Sequence, residues 1–392
     1  MYQIDEREIA AIRRVFKKRK LFRNQLKGPG ECDRFEKEFA RKIGVQHSLL
    51  VTSGTNALIA ALSSAGIGPG DEVIIPSYTF VATAAAVTNV GAIPVIANID
   101  ETLGIDPEDI ERRITDRTKA IIPVHMDGLA SDMRSILKIA RRHGLLVIED
   151  AAQAIGGSFK GKRLGSLGDF GCFSLNEDKN ISCGEGGIIA MKKRGFYERA
   201  FLVHDNSAQF SPARKDMFRE TSPFMGASMR VSEISGAIMS VQLKRLEPIL
   251  KGLRARKKIL LSGLKGLSAA RAVLGNCAKG DCASSFHLQF EDAETAALYG
   301  RKLRAAGLLF APVTTRPAHA CWKWAGLLSE NAFPRLRNPY LETDRKYSYS
   351  TAQYLASVDV LMRTYKLNVD LSLSLNETAK LARKLAKALA NG

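Results

Sequence analysis

Cysteine is scarce in this sequence: Cys32, Cys172, Cys183, Cys277, Cys282 and Cys321 are the only six in 392 residues, and no two stand at metal-ligand spacing. So few thiols for this length exclude a disulfide scaffold and a zinc ribbon, and they fit a reducing compartment. Long apolar runs are missing too. Nothing reaches the roughly 18 residues that a membrane-spanning helix needs. The opening Met1-Tyr2-Gln3-Ile4-Asp5-Glu6 lacks the basic-then-apolar order of a secretory leader. A cytoplasmic protein with no metal and no membrane association is therefore expected. Acidic residues fall short of basic ones, 40 Asp and Glu against 58 Lys and Arg, for a net charge of +18. The excess is scattered apart from one dense run, Arg13 to Lys20. No aromatic-interleaved stripe, zinc-finger spacing or helix-turn-helix pattern accompanies it, so the charge reads as solvated faces that also attract acidic substrates, with no nucleic-acid partner.

What is present is alternation. Apolar runs at 48–51, 72–76, 93–97, 120–124 and 145–148 are each followed by a turn and, in most cases, a helix-forming stretch. That order predicts an α/β fold with a mainly parallel sheet covered on both faces. Ligands of such sheets lie outside the carboxyl ends of the strands, where His125, Asp150 and Gln153 fall. Chain length implies about two domains. Residues 1–26 read as an N-terminal helix packing on the small domain or a partner, 27–244 as the large domain, and 245–392 as a smaller α+β C-terminal domain.

Two stretches carry candidate chemistry. Thr52-Ser53-Gly54-Thr55 lies between a strand and a helix, so free backbone N–H groups and two hydroxyls meet at a turn able to hold a phosphate; Ser53 or Thr55 serves equally as a plain helix cap. Further on, Lys179 sits in a polar loop between the apolar run ending Phe173-Ser174-Leu175 and the run Ile188-Ile189-Ala190, with Gly184-Glu185-Gly186-Gly187 between. A loop lysine of lowered pKa can attack a carbonyl, although one more solvated lysine would look the same in isolation. Asp150 alone fits a cap or an ion pair, and Phe80 alone fits a core. Together a lysine, a phosphate-sized turn, an aromatic at a strand end and a carboxylate after a buried strand are the parts that pyridoxal phosphate requires.

Their order resembles the DegT/StrS family of sugar aminotransferases, which have the aspartate-aminotransferase (fold type I) architecture. The matching phrases are Ser53-Gly54-Thr55, Gly66-Ile67-Gly68-Pro69-Gly70-Asp71-Glu72-Val73, Pro76-Ser77-Tyr78-Thr79-Phe80, Glu149-Asp150-Ala151-Ala152-Gln153-Ala154, and Lys179-Asn180 with the glycines after it. They cover residues 28–245 densely and the rest loosely. The resemblance implies a large cofactor domain with a mostly parallel seven-stranded sheet and pyridoxal 5'-phosphate as cofactor. Lys179 would be the catalytic lysine. Asp150 would face the pyridinium nitrogen, Gln153 the ring hydroxyl and Phe80 the ring face, while Ser53, Gly54, Thr55 and Ser174 would hold the phosphate. It also implies a homodimer with shared sites, in which the loop Gly226-Ala227-Ser228-Met229-Arg230 serves the partner. Ser228 replaces the usual asparagine there.

Two further departures stand out, Asn176-Glu177-Asp178 before the lysine and Asp127 where an aromatic is common. His204, Arg230, His319 and Trp322 are the expected substrate contacts. The expected reaction moves an amino group from L-glutamate or L-glutamine to a sugar or cyclitol ketone or aldehyde, for surface-polysaccharide, lipopolysaccharide or secondary-metabolite amino sugars. The run 179–187 and His204-Asp205-Asn206 look most like the scyllo-inosose and 8-amino-octulosonate branches. The alternatives are a dehydratase of the same fold, which carries histidine in place of the lysine, and a non-catalytic regulatory or nucleic-acid-binding protein built on it.

Overall fold

The computed structural model describes residues 3–23, 28–211, 214, 217–331 and 338–390. Helix α1 (Glu6–Lys18) starts at a capping box in which Asp5 accepts from the Arg7 N–H and Glu8 returns a bond to the Asp5 N–H. The expected boundary between residues 26 and 27 lies outside the described residues. Helix α2 (Glu31–Ile43) follows, and then the strand–helix alternation runs as β1 (His47–Val51), α3 (Gly54–Ala65), β2 (Glu72–Pro76), α4 (Ala82–Asn89), β3 (Ile93–Ala97), α5 (Pro107–Arg113), β4 (Thr118–Ile121), α6 (Met133–His143) and β5 (Leu146–Asp150). A short hairpin, β6 (Ser158–Phe159) and β7 (Lys162–Arg163), leads to β8 (Phe170–Ser174) and β9 (Gly187–Met191), the two strands that bracket the lysine loop.

These build the expected seven-stranded sheet in the order β1-β9-β8-β5-β4-β2-β3. It is parallel from β8 through β5, β4 and β2 to β3, whereas β9 runs antiparallel to both β1 and β8. Alternate residues feed opposite faces. Leu50, Ile74, Ile121, Val147, Phe173 and Ile188 join one core with α2 and the later domain, while Leu49, Val73, Ile75, Ile148 and Ile189 join another with α3 and α4. Asp150, two residues beyond Ile148, therefore emerges on the α3–α4 face at the carboxyl end of its strand.

After α7 (Arg194–His204), α8 (Glu233–Ser262) runs for 30 residues and passes position 245 without a break. It leads to a second, antiparallel sheet of β10 (Arg271–Ala272), β11 (Ser285–Gln289), β12 (Ala311–Pro312) and β13 (Thr364–Asn368), in the order β10-β11-β13-β12, with α9 (Ala293–Ala305) and α12 (Leu375–Ala390). The C-terminal region is not one continuous unit, as 245–392 was expected to be. Residues 313–331 and 338–362, with α10 (Ala325–Leu328) and α11 (Leu355–Met362), return to the large domain and cover the β3 edge of its sheet. Tyr349 donates to the Pro94 carbonyl at 2.9 Å, Arg345 pairs with buried Glu72 at 2.9 Å, and the Ser77 and Ser357 hydroxyls meet at 2.8 Å. An edge strand needs such a cover, and no apolar run of 313–362 announces it. Among the described residues, no helix is long and apolar enough to cross a membrane.

Candidate active site

The carboxyl ends of β5 and β8, the start of α3 and the lysine loop open into one cleft of about 850 Å³ between the two sheets. It gathers Ser53, Gly54, Thr55, Phe80, Asp150, Gln153, Ser174, Lys179 and His319 from positions spread over 266 residues of chain.

At the α3 end, the Ser53 hydroxyl accepts from the Asn56 N–H at 3.1 Å, so this residue caps the helix while lining the cleft. The strand β8 passes so close that a Cβ on Gly54 would lie 2.9 Å from that of Ser174. A Cβ on Gly187, where β9 begins, would lie 2.1 Å from the Ser53 carbonyl oxygen. Glycine at both positions is therefore what lets the lysine loop and the turn share one wall.

Asp150 is 5 % exposed and has no cationic partner within ion-pair distance among the described residues. It accepts from the Thr83 hydroxyl at 2.8 Å and from the Ala152 N–H at 3.1 Å. Burial pushes its carboxyl above the ordinary range, and those two bonds with the charges of His125 and Lys179 only partly oppose this. Beneath it, buried His125 and Glu149 are joined at 3.0 Å, and Glu149 also accepts the Gly165, Leu167 and Gly168 N–H groups, which fixes the loop before β8.

Lys179 is half-buried, and burial holds its amine below the usual lysine range. Asp178 and Asp150 pull the other way, and the Arg316 charge adds to the depression. The acidic residues before the lysine thus do not win. Glu177 and Asp178 are exposed at the lip of the cleft, where water screens them. Phe80 is 46 % exposed, an aromatic face turned to the cleft, and its ring packs 5.3 Å from that of His319. His319 is itself buried, with an unpartnered Nδ1, and burial followed by Arg316 brings it down to about 4.

Four of the residues named from sequence as contacts lie elsewhere. His204 is fully buried in α7 against Phe201, with neither ring nitrogen bonded, and it faces the core, not the cleft. Trp322 packs on the α3–α4 side core, because the segment carrying it is used to cover the large domain. Arg230 is ion-paired to Asp205 and stacked over Phe22, away from its own chain's cleft. Ser228 bridges to Asp205 and is also outside it.

Sequence reasoning flagged Asp127 only as a departure and missed its partners. Asp127 adopts φ 53°, in a turn completed by Gly128, and its carboxylate is ion-paired to Lys366 and accepts from His287 at 2.9 Å. His287 and Lys366 face each other across β11 and β13, so a single large-domain carboxylate holds the second sheet. Its N–H donates to Gln153 Oε1 at 3.1 Å. An acid whose histidine and lysine partners lie 160 and 239 residues further on leaves no local signal in the chain. Burial would raise this carboxyl, yet Lys366 and His287 outweigh it and hold it well below the usual range. The resulting stability is present above the unfolded carboxylate value of about 3.9 and is lost as pH falls through the depressed one. Asp127→Asn is expected to lower unfolding free energy at pH 7 by about 2 kcal/mol; denaturant melts at pH 7 and pH 3 check this, and the gap should narrow at the lower pH.

The model of the DegT/DnrJ/EryC1/StrS aminotransferase family matches residues 2–337. GDP-perosamine synthase of Caulobacter vibrioides is 44% identical over 227 residues, which are 58% of this chain and 59% of that protein. L-glutamine:2-deoxy-scyllo-inosose aminotransferase of Streptomyces lividus is 37% identical over 237 residues, 59% of this chain and 55% of that one. The chain thus spans less than two thirds of the length of these relatives. Among solved structures, 3-amino-5-hydroxybenzoic acid synthase superposes with a TM-score of 0.82 at 29% identity, covering 100% of this chain and 98% of that one.

Proposed function

Since the chain belongs to the DegT/DnrJ/EryC1/StrS aminotransferase family, whose members depend on pyridoxal phosphate, we propose that it moves an amino group from L-glutamate or L-glutamine to a ketone or aldehyde of a sugar or cyclitol. The product would enter surface-polysaccharide, lipopolysaccharide or secondary-metabolite synthesis. The observation that carries the reading is a buried carboxylate, Asp150, that has no ion-paired cation among the described residues and lies in the same cleft as a lysine of lowered basicity. A charge buried without a partner is costly, and it persists where a ligand supplies the opposite one.

The residues present fit the cofactor. Asp150 would hold the protonated ring nitrogen, oriented by Thr83 and Ala152. Ser53, Gly54, Thr55 and Ser174 would bind phosphate at the α3 N-terminus. Phe80 would cover one ring face. Gln153 has its Oε1 taken by Asp127, so its amide NH₂ is the end left to donate to a ring oxygen. When bound, the cofactor supplies an aldehyde for amines to condense with and an electron sink for the carbon that loses a proton. Lys179 then serves as the base and acid that moves that proton, and its depressed pKa keeps a fraction of it neutral for the task. A dehydratase would need histidine at this position, and Lys179 favours transamination.

Ser228 and Arg230 are proposed to serve the cleft of a second copy in a homodimer. The exposed Phe22, Phe210 and Met225 around that loop support this. In a test of the reading, borohydride reduction of the pyridoxal-phosphate-loaded protein followed by peptide mass mapping should fix the cofactor on the peptide containing Lys179. Fixation on other lysines alone would contradict the proposal.

A further inference from the structure

The second sheet has two unlike faces. Alternation along β11 and β13 turns His287 and Lys366 to Asp127 and the cleft. Phe286, Leu288, Tyr365 and Leu367 point the other way, into a core shared with Leu260 of α8, Leu303 of α9 and Leu385 of α12. The outer surface of those helices therefore looks away from the cleft, and its charge is of one sign. At the start of α12 the Ser374 N–H donates to the Glu377 carboxylate at 2.7 Å and the Glu377 N–H to the Ser374 hydroxyl at 3.2 Å, which uses the only acid of that helix as a cap. Beyond it Lys380, Arg383, Lys384 and Lys387 are all exposed at the spacing of one helix face, opposite buried Thr378, Ala382, Leu385 and Leu389. On α8, where no acid follows Glu247, Lys251 and Lys258 are exposed one heptad apart. The inward cations of α8 are committed, Lys257 to Asp281 and Arg256 to the Leu373 carbonyl at 2.8 Å. The six outward ones have no ion-pair partner among the described residues.

That charge does not serve the cleft. A helix is about 10 Å across, more than the roughly 8 Å over which a charge is felt at physiological ionic strength, and the sheet lies between as well. Attraction of acidic substrates therefore does not account for it. Protein interfaces are depleted in lysine and built on aromatic anchors, and single-stranded nucleic acid is held by stacked aromatics. Among the described residues the exposed large apolar side chains of α8, α9 and α12 are Leu298 and Leu375, with no aromatic. A cluster of about four to eight cations on an amphipathic helix instead matches the headgroup plane of anionic lipids, which asks for charge density without a shaped partner. We infer that the outward face of α12 and α8 adsorbs to an anionic lipid surface, leaving the cleft turned away from the lipid and open to solution. Adsorption of this kind needs no spanning helix, so the missing apolar runs do not bear on it.

The test is co-sedimentation of the full chain with vesicles of phosphatidylcholine alone and of phosphatidylcholine mixed with phosphatidylglycerol. The wild type should bind the mixed vesicles, ignore the neutral ones and be released by high salt. A variant carrying Lys380→Gln, Lys384→Gln and Lys387→Gln together should bind the mixed vesicles about 100-fold more weakly, at roughly fivefold for each cation removed. Its thermal melt should match the wild type, since all three side chains are exposed. The control variant removes as much charge from the dense run on and after α1, by Arg13→Gln, Lys17→Gln and Lys20→Gln, and should keep most of the binding. A wild type that ignores the mixed vesicles, or binding lost equally in both variants, would overturn the inference. So would retention of the wild type by transfer RNA but not by the mixed vesicles, which would give the face to nucleic acid instead.

Discussion

Replacing Lys179 with alanine is expected to reduce turnover by at least the roughly 10²–10⁴-fold that a positioned acid–base group contributes, and by more because the same residue anchors the cofactor. The fold should not suffer. Lys179 is half-exposed to the cleft, and the loop around it is held by its own backbone, with the Leu175 N–H on the Gly186 carbonyl at 2.8 Å and the Ser182 hydroxyl on the Leu175 carbonyl at 2.9 Å. Coupled assays for glutamate consumption set beside thermal melts of the apo-protein would separate the two effects. A variant that unfolds, or one that keeps a tenth of the wild-type rate, would show that the lysine has been given the wrong role.

Asp150→Asn is expected to lower kcat by about 10²–10³-fold, the usual cost of removing one preorganised electrostatic partner from a site of this kind. On the apo-protein the same change should act in the opposite sense. Burial raises the folded-state pKa of Asp150 above its unfolded value, so the group's contribution to stability is present below the unfolded pKa of about 3.9 and is lost as pH rises through the raised one. At pH 7 the wild-type apo-protein bears that cost, and the amide does not. The asparagine variant should therefore melt higher than the wild type at pH 7, with the advantage fading toward pH 4. Loading with pyridoxal phosphate should reverse the order, because the cofactor then pairs with the carboxylate. Melts of apo and loaded forms at the two pH values check both halves.

The split between what sequence could and could not reveal follows the range of the interactions involved. The parallel sheet was legible because each strand is an apolar run bounded by a turn, as in Glu72–Pro76 and Ile93–Ala97, and each such pattern is local. The cofactor wall was legible for the same reason. Ser53-Gly54-Thr55, Asp150 to Gln153 and Lys179 sit at the ends of those runs. The opposite wall was not. Asp127 meets His287 and Lys366 only because two antiparallel strands place them side by side, and Arg316 enters the cleft only because the segment after β12 folds back to cover the β3 edge. His204 misled because a histidine beside polar Asp205-Asn206 looks available, whereas α7 turns it under Phe201. Trp322 misled because an irregular, aromatic-bearing segment resembles a binding loop, yet its aromatics pay for burying the sheet edge.

The central claim is that Lys179 and Asp150 together run an amino-transfer half-reaction in this cleft. The most direct measurement is the absorption spectrum of the pyridoxal-phosphate-loaded protein before and after addition of L-glutamate or L-glutamine, recorded alongside Lys179→Ala. The account predicts a near-visible band in the wild type that gives way to an ultraviolet one when the donor is added, and no such response in the variant. A wild type whose band ignores both donors, or a variant that responds as the wild type does, would contradict it.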